Sequence, residues 1–117
     1  MDNQIFHICY ASEWDKAIQR GAYLGSTQDK KDGFIHFSTK DQIFQTAILH
    51  YFGKAGVVLL SVDRASLGKA LKWEKSRKGK LFPHLYGPLP VAAVLSVDQI
   101  PLKKNGGHFF PSKLQLK

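Results

Sequence analysis

The first apolar run of the chain has the two-residue period of a strand. Residues 5–10 are rich in strand formers, and their alternation puts His7 on an otherwise apolar face. Ser12 then fits an N-cap and Gly21 fits a helix stop, which predicts a helix over residues 12–20. A polar ring is therefore expected on the first strand of the core.

A second strand carries another histidine. Residues 25–33 have the Gly, Asp and Ser content of a loop. The strand over residues 34–38 follows at once, and its alternation places His36 and Ser38 on the same face. The first two strands thus each bring one imidazole to the predicted sheet.

Thr39 and Gln42 match a capping box, in which the hydroxyl and the amide satisfy amide donors of the first helical turn. Apolar residues then recur at helical spacing, which predicts a helix over residues 40–52. The nearly continuous apolar run at 57–62 is typical of a strand buried on both faces, so we expect it in the centre of a sheet.

The remaining pattern is shorter and more interrupted. Alternation predicts strands over residues 71–74 and 91–97, whereas three prolines within nine residues predict an irregular loop over 82–90. We expect a small α+β single domain over residues 1–102, with five or six strands and two helices towards the N-terminal end, followed by a turn and a basic C-terminal tail over 103–117.

Composition narrows the class of protein. A chain of 117 residues, 44% apolar and 22% charged, has the size of one domain, which excludes a multidomain enzyme. The single Cys9 forms no internal disulfide and no apolar run approaches the length of a membrane span, so we expect a cytoplasmic protein without a membrane partner.

The net charge of +8 is unevenly distributed. Residues 1–63 carry six basic and seven acidic side chains, whereas residues 64–117 carry eleven basic and two acidic ones. This asymmetry favours a small anionic ligand such as a nucleotide, or an RNA chain or nucleic-acid end; a merely basic, soluble surface is the alternative.

No phosphate-loop, Rossmann or zinc-finger spacing is present, and with one cysteine and no closely spaced histidine pair we expect no metal. His36 and Ser38 lie directly before a predicted helix N-terminus, which favours an anion or ribose contact. The structural alternative is a half-buried histidine bonded to a backbone carbonyl, with Ser38 or Thr39 acting only as a cap.

Glu74 is the single carboxylate in a basic stretch, so it would orient a ribose hydroxyl or stabilise positive charge, or else form a surface ion pair. Trp73 would be a core residue or a stacking contact. His84 and Tyr86, held in a proline-stiffened loop, would bind a ligand or else support the core.

Three separated segments carry a resemblance to a known family. They are Asp32-Gly33-Phe34-Ile35-His36-Phe37-Ser38-Thr39, then Trp73-Glu74, and then Phe82-Pro83-His84-Leu85-Tyr86-Gly87-Pro88-Leu89-Pro90. In order and spacing they resemble the bacterial proteins grouped as domain of unknown function 952, over nearly the whole chain. That family is regarded as similar in fold to the ADP-ribosyltransferases, most of all to the NAD-dependent RNA 2′-phosphotransferases.

The resemblance implies an ADP-ribosyltransferase-like fold with a split mixed or antiparallel sheet, NAD as cofactor, and transfer to an anionic substrate. It implies His36 and Glu74 as catalytic residues. The cofactor contacts would come from His7, Ser38, Thr39, Trp73, His84 and Tyr86. The alternative function is a non-catalytic module that binds a nucleotide or nucleic-acid end in a degenerate transferase pocket.

Overall fold

The computed structural model describes residues 3–114, which form eight strands and three α-helices. The strands are β1 (Gln4–Tyr10), β2 (Ala22–Tyr23), β3 (Ile35–His36), β4 (Val57–Asp63), β5 (Leu71–Lys75), β6 (Leu81–Leu85), β7 (Leu89–Pro90) and β8 (Val94–Gln99). The helices are α1 (Ala11–Arg20), α2 (Thr27–Asp32) and α3 (Ile43–Tyr51). Short 3₁₀ turns occupy Arg64–Ala70, Arg77–Gly79, Val91–Ala93 and Ser112–Leu114. The α+β class is confirmed.

Two three-stranded sheets form the framework, in the orders β1-β4-β8 and β3-β6-β5, with a β2-β7 pair beside them. Every strand pair among the described residues is antiparallel. Phe6 and Ser38 join the two larger sheets through reciprocal backbone hydrogen bonds of 2.8 Å. This junction brings the first histidine strand beside the second.

The apolar run at 57–62 is central, as predicted, because β4 lies between β1 and β8. Leu59 and Leu60 have no exposed surface, and burying each side chain contributes about 2 kcal/mol. Alternation along β1 places Ile5 and Cys9 in one apolar cluster and Phe6 in another. The sheet is therefore covered on both faces.

The prediction of a loop over residues 25–33 was wrong, because these residues contain α2. Ser26 is its N-cap: the Ser26 Oγ accepts from Asp29 N at 3.1 Å, and Asp29 Oδ2 accepts from Ser26 N at 2.8 Å. This reciprocal capping box stabilises a six-residue helix in a segment of loop-like composition. The first helix also starts one residue earlier than predicted, at Ala11, with no side-chain cap from Ser12.

The predicted loop over 82–90 is instead largely extended, as β6 and β7. Phe37 N donates to Pro83 O at 2.9 Å, and since proline has no N–H the reciprocal bond cannot form. The proline is tolerated because β3 ends at His36, just before this pair.

The predicted strand over 91–97 starts later, at Val94, after a 3₁₀ turn.

The segment after Pro101 makes the predicted turn, in which Gly106 N donates to Lys103 O at 3.1 Å. The chain then packs on the domain: His108 is buried, with Nε2 at 2.7 Å from Lys54 O, and Leu114 joins the apolar cluster of α3. Residues 115–117 of the predicted tail lie outside the described residues, and the division at residue 102 stays a prediction. No helix within residues 3–114 is long and apolar enough to cross a membrane.

Candidate functional site

A cleft of about 890 Å³ opens between β1, α2, β3, α3 and the β5–β6 turn. We call this space the cleft. Its volume falls in the range of sites for drug-sized ligands. Its polar lining includes His7, Glu13, Asp29, Asp32, His36, Ser38, Thr46, His50, Arg77 and His84. Four of the eight residues implicated by sequence, namely His7, His36, Ser38 and His84, therefore share one cavity.

Asp29 anchors the acidic end of the cleft. The capping box of α2 fixes its side chain, which is 3% exposed, and Oδ1 accepts from both His36 N at 3.1 Å and His36 Nδ1 at 2.5 Å. Burial disfavours the carboxylate, but the hydrogen bonds from the His36 ring and from the backbone N–H groups of Ser26 and His36 outweigh it and hold the Asp29 pKa at about 2. The carboxylate is ionised at neutral pH.

His36 bridges two carboxylates. Its Nδ1 contacts Asp29, and its Nε2 lies 3.1 Å from Asp32 Oδ2. Carboxylates only accept hydrogen bonds, so this geometry requires a proton on both ring nitrogens. The hydrogen bond to Asp29 accordingly raises the pKa of His36 above its ordinary value, against the effect of partial burial. The half-exposed ring thus carries a positive charge on the wall of the cleft.

His7 has the opposite character. Its Nδ1 lies 2.5 Å from His36 O, which must accept, so this nitrogen holds the proton. Its Nε2 then accepts from Tyr23 OH at 2.8 Å. Burial lowers the pKa of His7, so the ring is neutral. Because both nitrogens already bind the protein, His7 holds β3 in place and presents only ring carbons to a ligand.

Arg77 forms the basic end of the cleft. Its Nη2 donates to Thr46 Oγ1 at 3.1 Å, and Thr46 Oγ1 is 2.8 Å from Ser38 Oγ. The guanidinium also lies 4.8 Å from the centre of the Phe82 ring. Arg77 forms no ion pair with a carboxylate within the described part of the chain. Its charge is left for an external anion.

A tight turn positions Arg77. Lys78 and Gly79 have φ values of 56° and 73°, and Lys80 N donates to Arg77 O at 3.1 Å. These angles are those of a type I′ turn, whose twist matches that of the paired strands β5 and β6. The hairpin therefore holds Arg77 at the start of the turn, against the cleft.

His50, on α3, reports the positive potential of this region. Partial desolvation lowers its pKa, and repulsion from Arg77 and His36 lowers it further. Repulsion of this exposed imidazole from two cations indicates that this part of the cleft favours negative charge. An anion placed there would relieve the repulsion.

Glu74 lies behind the cleft instead of in it. Its Oε1 accepts from His84 Nδ1 and from Tyr86 OH, each at 2.8 Å, and both bonds lower the pKa of Glu74. The Phe34 ring stacks on the imidazole of His84, with 4.1 Å between the two ring centres. Glu74 and Tyr86 are thus positioned to orient His84, whose Nε2 is the ring nitrogen left for a ligand.

Thr39 and Trp73 are also outside the cleft. Thr39 N donates to Gln42 Oε1 at 3.0 Å and Gln42 N donates to Thr39 Oγ1 at 3.3 Å, so the predicted reciprocal bonds form, but in the turn before α3, which begins at Ile43 and not at residue 40. Trp73 is 38% exposed, which excludes the core alternative, and its predicted contact with a cofactor stays a prediction. No group of three or more His, Cys, Asp or Glu within residues 3–114 is arranged to hold a metal ion.

Among the cleft residues that sequence analysis missed are Asp29, Thr46, His50 and Arg77. For Asp29 a signal existed, because Ser26 three residues before an acidic side chain is a capping box. For the others only the tertiary structure brings α3 and the hairpin turn together.

The comparisons with known proteins agree with this fold. A family model described as protein of unknown function (DUF952) matches residues 8–97. The chain belongs to the DUF952 family. The chain is similar to the crystal structure of protein CC0527 from Caulobacter crescentus, with 42% identity, a TM-score of 0.92, and coverage of 97% of this chain and 99% of that one.

The solution NMR structure of the same Caulobacter protein is also similar, with a TM-score of 0.81, 42% identity and coverage of 91% of both chains. A search of curated proteins gives no match. The same fold is therefore seen in crystal and solution structures of one relative over more than nine-tenths of this chain, and the name of that relative gives no activity.

Proposed function

We propose that the cleft of this DUF952 protein binds a nucleotide, that NAD is the first candidate, and that the protein is an ADP-ribosyltransferase-like enzyme acting on an anionic substrate. The observation that carries the proposal is Arg77, a guanidinium on the wall of a cleft of about 890 Å³ with no carboxylate partner among the described residues. Arginine at such a site is suited to a phosphate, which it binds through two parallel N–H donors.

The charge distribution of the cleft fits NAD. Arg77, held by its bond to the Thr46 hydroxyl oxygen, offers its remaining N–H donors to the pyrophosphate. Glu13 and Asp32 line the same cleft and suit ribose hydroxyls and the cationic nicotinamide ring, and the buried Asp29 adds its negative charge. A ligand with one anionic and one cationic part matches this polarity better than inorganic phosphate does.

The chain supplies two oriented imidazoles for chemistry on such a ligand. Bound NAD would supply an ADP-ribosyl group with nicotinamide as its leaving group. Asp29 and Asp32 hold His36 as a cation whose charge would stabilise negative charge on the ligand, and Glu74 fixes His84 with Nε2 as the nitrogen to accept a proton from an attacking hydroxyl or phosphate. In this scheme His84 touches the ligand, His36 acts through its charge, and Glu74 is a positioning residue.

A non-catalytic nucleotide-binding module is the second candidate, and two observations favour it. Glu74 does not line the cleft, so it cannot contact the ligand directly. Both nitrogens of His7 bind the protein, so this ring offers no polar contact to a ribose. A protein with this cleft would bind a nucleotide, but Glu74 and His7 would lack the direct ligand contacts expected for ADP-ribosyl transfer.

Calorimetry with NAD, ADP-ribose and AMP tests the binding proposal. We expect affinity in the millimolar range or tighter, weakened at least about tenfold by Arg77→Gln, since a charge-assisted contact contributes about 1.5–3 kcal/mol. Lys80→Gln is the matched control, because Lys80 is exposed and outside the cleft lining. Absence of binding at millimolar ligand, with a folded protein by circular dichroism, would remove the proposal.

Release of nicotinamide, followed by chromatography, separates the two candidates. If the protein is an enzyme, His36→Ala and His84→Ala should reduce turnover far more than they reduce NAD affinity. If it is a binding module, the wild type should release no nicotinamide above a no-protein control, while His36→Ala should weaken binding alone.

A further inference from the structure

The outer strand β5 lies in the most basic part of the molecule. It is an edge strand of its sheet, and residues 64–80 carry a single acidic side chain, Glu74. The cations of this segment, which we call the basic edge, are Arg64, Lys69, Lys72, Lys75, Arg77, Lys78 and Lys80. None of the seven pairs with a carboxylate within residues 3–114, because Glu74 is occupied by His84 and Tyr86.

An exposed tryptophan lies within the basic edge. Trp73 is 38% exposed, whereas Trp14 is 7% exposed and packs in the core. The Arg64 guanidinium lies 5.7 Å from the centre of the Trp73 ring. A partly exposed indole with an arginine over its ring offers aromatic surface on which a nucleobase can stack and a cation for the neighbouring phosphate.

We propose that the basic edge binds single-stranded nucleic acid, with a base stacked on Trp73 and the neighbouring phosphates on the lysines around it. Unpaired cations alone would suit an acidic protein equally well, but they give no reason for an exposed aromatic ring. Stacking on an aromatic side chain within a basic track is the usual means of binding single strands.

The basic edge also reaches the cleft. Arg77 belongs to both, since it begins the turn after β5 and lines the cavity. A strand that lies along β5 would therefore bring its terminal nucleotide to the cleft. This second part of the inference rests on the proposed function, in which the cleft accepts a nucleotide and transfers a group to an anionic acceptor.

Fluorescence anisotropy with labelled single-stranded RNA and DNA oligonucleotides tests the inference. Affinity should fall steeply with salt, with a slope in log–log form of about −0.7 for each phosphate neutralised. Lys72→Gln with Lys75→Gln should reduce the magnitude of that slope by about 1.4. The matched control is Lys54→Gln with Lys104→Gln, two exposed lysines outside the basic edge, which should leave the slope unchanged.

Substitutions of Trp73 distinguish the contribution of base stacking to binding from the contribution of charge. Trp73→Ala should weaken oligonucleotide binding about tenfold or more at constant charge, and Trp73→Phe should restore most of it. Unchanged affinity in Trp73→Ala would overturn the inference. So would equal weakening by the two lysine pairs, or equal affinity of the wild type for polyglutamate.

Separate experiments can disprove nucleotide binding in the cleft and single-strand binding at the basic edge. Lys72→Gln with Lys75→Gln should keep the wild-type affinity for NAD, because neither lysine lines the cleft. Oligonucleotide binding without NAD binding would remove the proposed function and support the basic edge, whereas NAD binding without oligonucleotide binding would do the reverse.

Discussion

Replacing Asp29 tests the electrostatic design of the cleft. Lowering the pKa of this buried carboxyl from 3.8 to about 2 corresponds to about 2 kcal/mol of folding stability. Because the pKa is lower in the folded protein, this stability is present above pH 4 and is lost as the pH falls towards 2. Asp29→Asn should therefore reduce the free energy of unfolding at pH 7 by about 2 kcal/mol.

The assay is urea unfolding followed by circular dichroism, repeated between pH 7 and pH 3. The difference between wild type and Asp29→Asn should shrink as the pH falls below 4. The control is Asp32→Asn, because this half-exposed carboxylate also contacts His36, and we expect a loss below about 1 kcal/mol. Equal stability of Asp29→Asn and wild type at pH 7, or a difference that does not change with pH, would refute the reasoning.

The same variant has a second effect at higher pH. Contact with Asp29 raises the pKa of His36 above 6.5, so its contribution to stability is complete below that pH and is lost as the pH rises through the raised value. Asp29→Asn should remove most of this loss. Titration of the His36 ring protons by NMR should show the pKa returning towards its ordinary range.

Three further predictions concern the surroundings of the cleft. Gly25→Ala should destabilise the protein more than Gly33→Ala in urea unfolding: both glycines have positive φ, but a Cβ at Gly25 would lie 2.7 Å from Asp29 Cβ, whereas at Gly33 it meets open space. Cys9, 1% exposed and with its pKa raised to about 12 by burial, should resist Ellman's reagent in the native state at pH 8 and react on unfolding. The nitrogen chemical shifts of His7 should show the proton on Nδ1 at pH 7; a doubly protonated ring would contradict the hydrogen-bond assignment.

The sequence predicted the parts of the fold that depend on local periodicity. β1, β4 and α3 follow from alternation and helical spacing, and strand alternation placed His36 and Ser38 on the same side of the cleft. Predictions from amino-acid composition were wrong where a few specific hydrogen bonds determine the local structure. Ser26 and Asp29 stabilise a helix in a segment that otherwise resembles a loop.

The charged groups of the cleft were harder to predict. Arg77 is one of seven cations in its segment, and only the turn at Lys78 and Gly79 distinguishes it from the others. Glu74 was expected to contact the ligand, but its side chain on β5 accepts a hydrogen bond from His84 instead. Such outcomes depend on strand pairing between distant segments, which no local pattern contains.

The central claim is that the cleft binds a nucleotide, and NMR mapping tests it most directly. On titration of ¹⁵N-labelled protein with NAD, we predict shifts of the backbone amides of His36, Ser38 and Arg77, with Lys104 unaffected. Shifts absent at millimolar NAD, or confined to residues outside the cleft, would contradict the account.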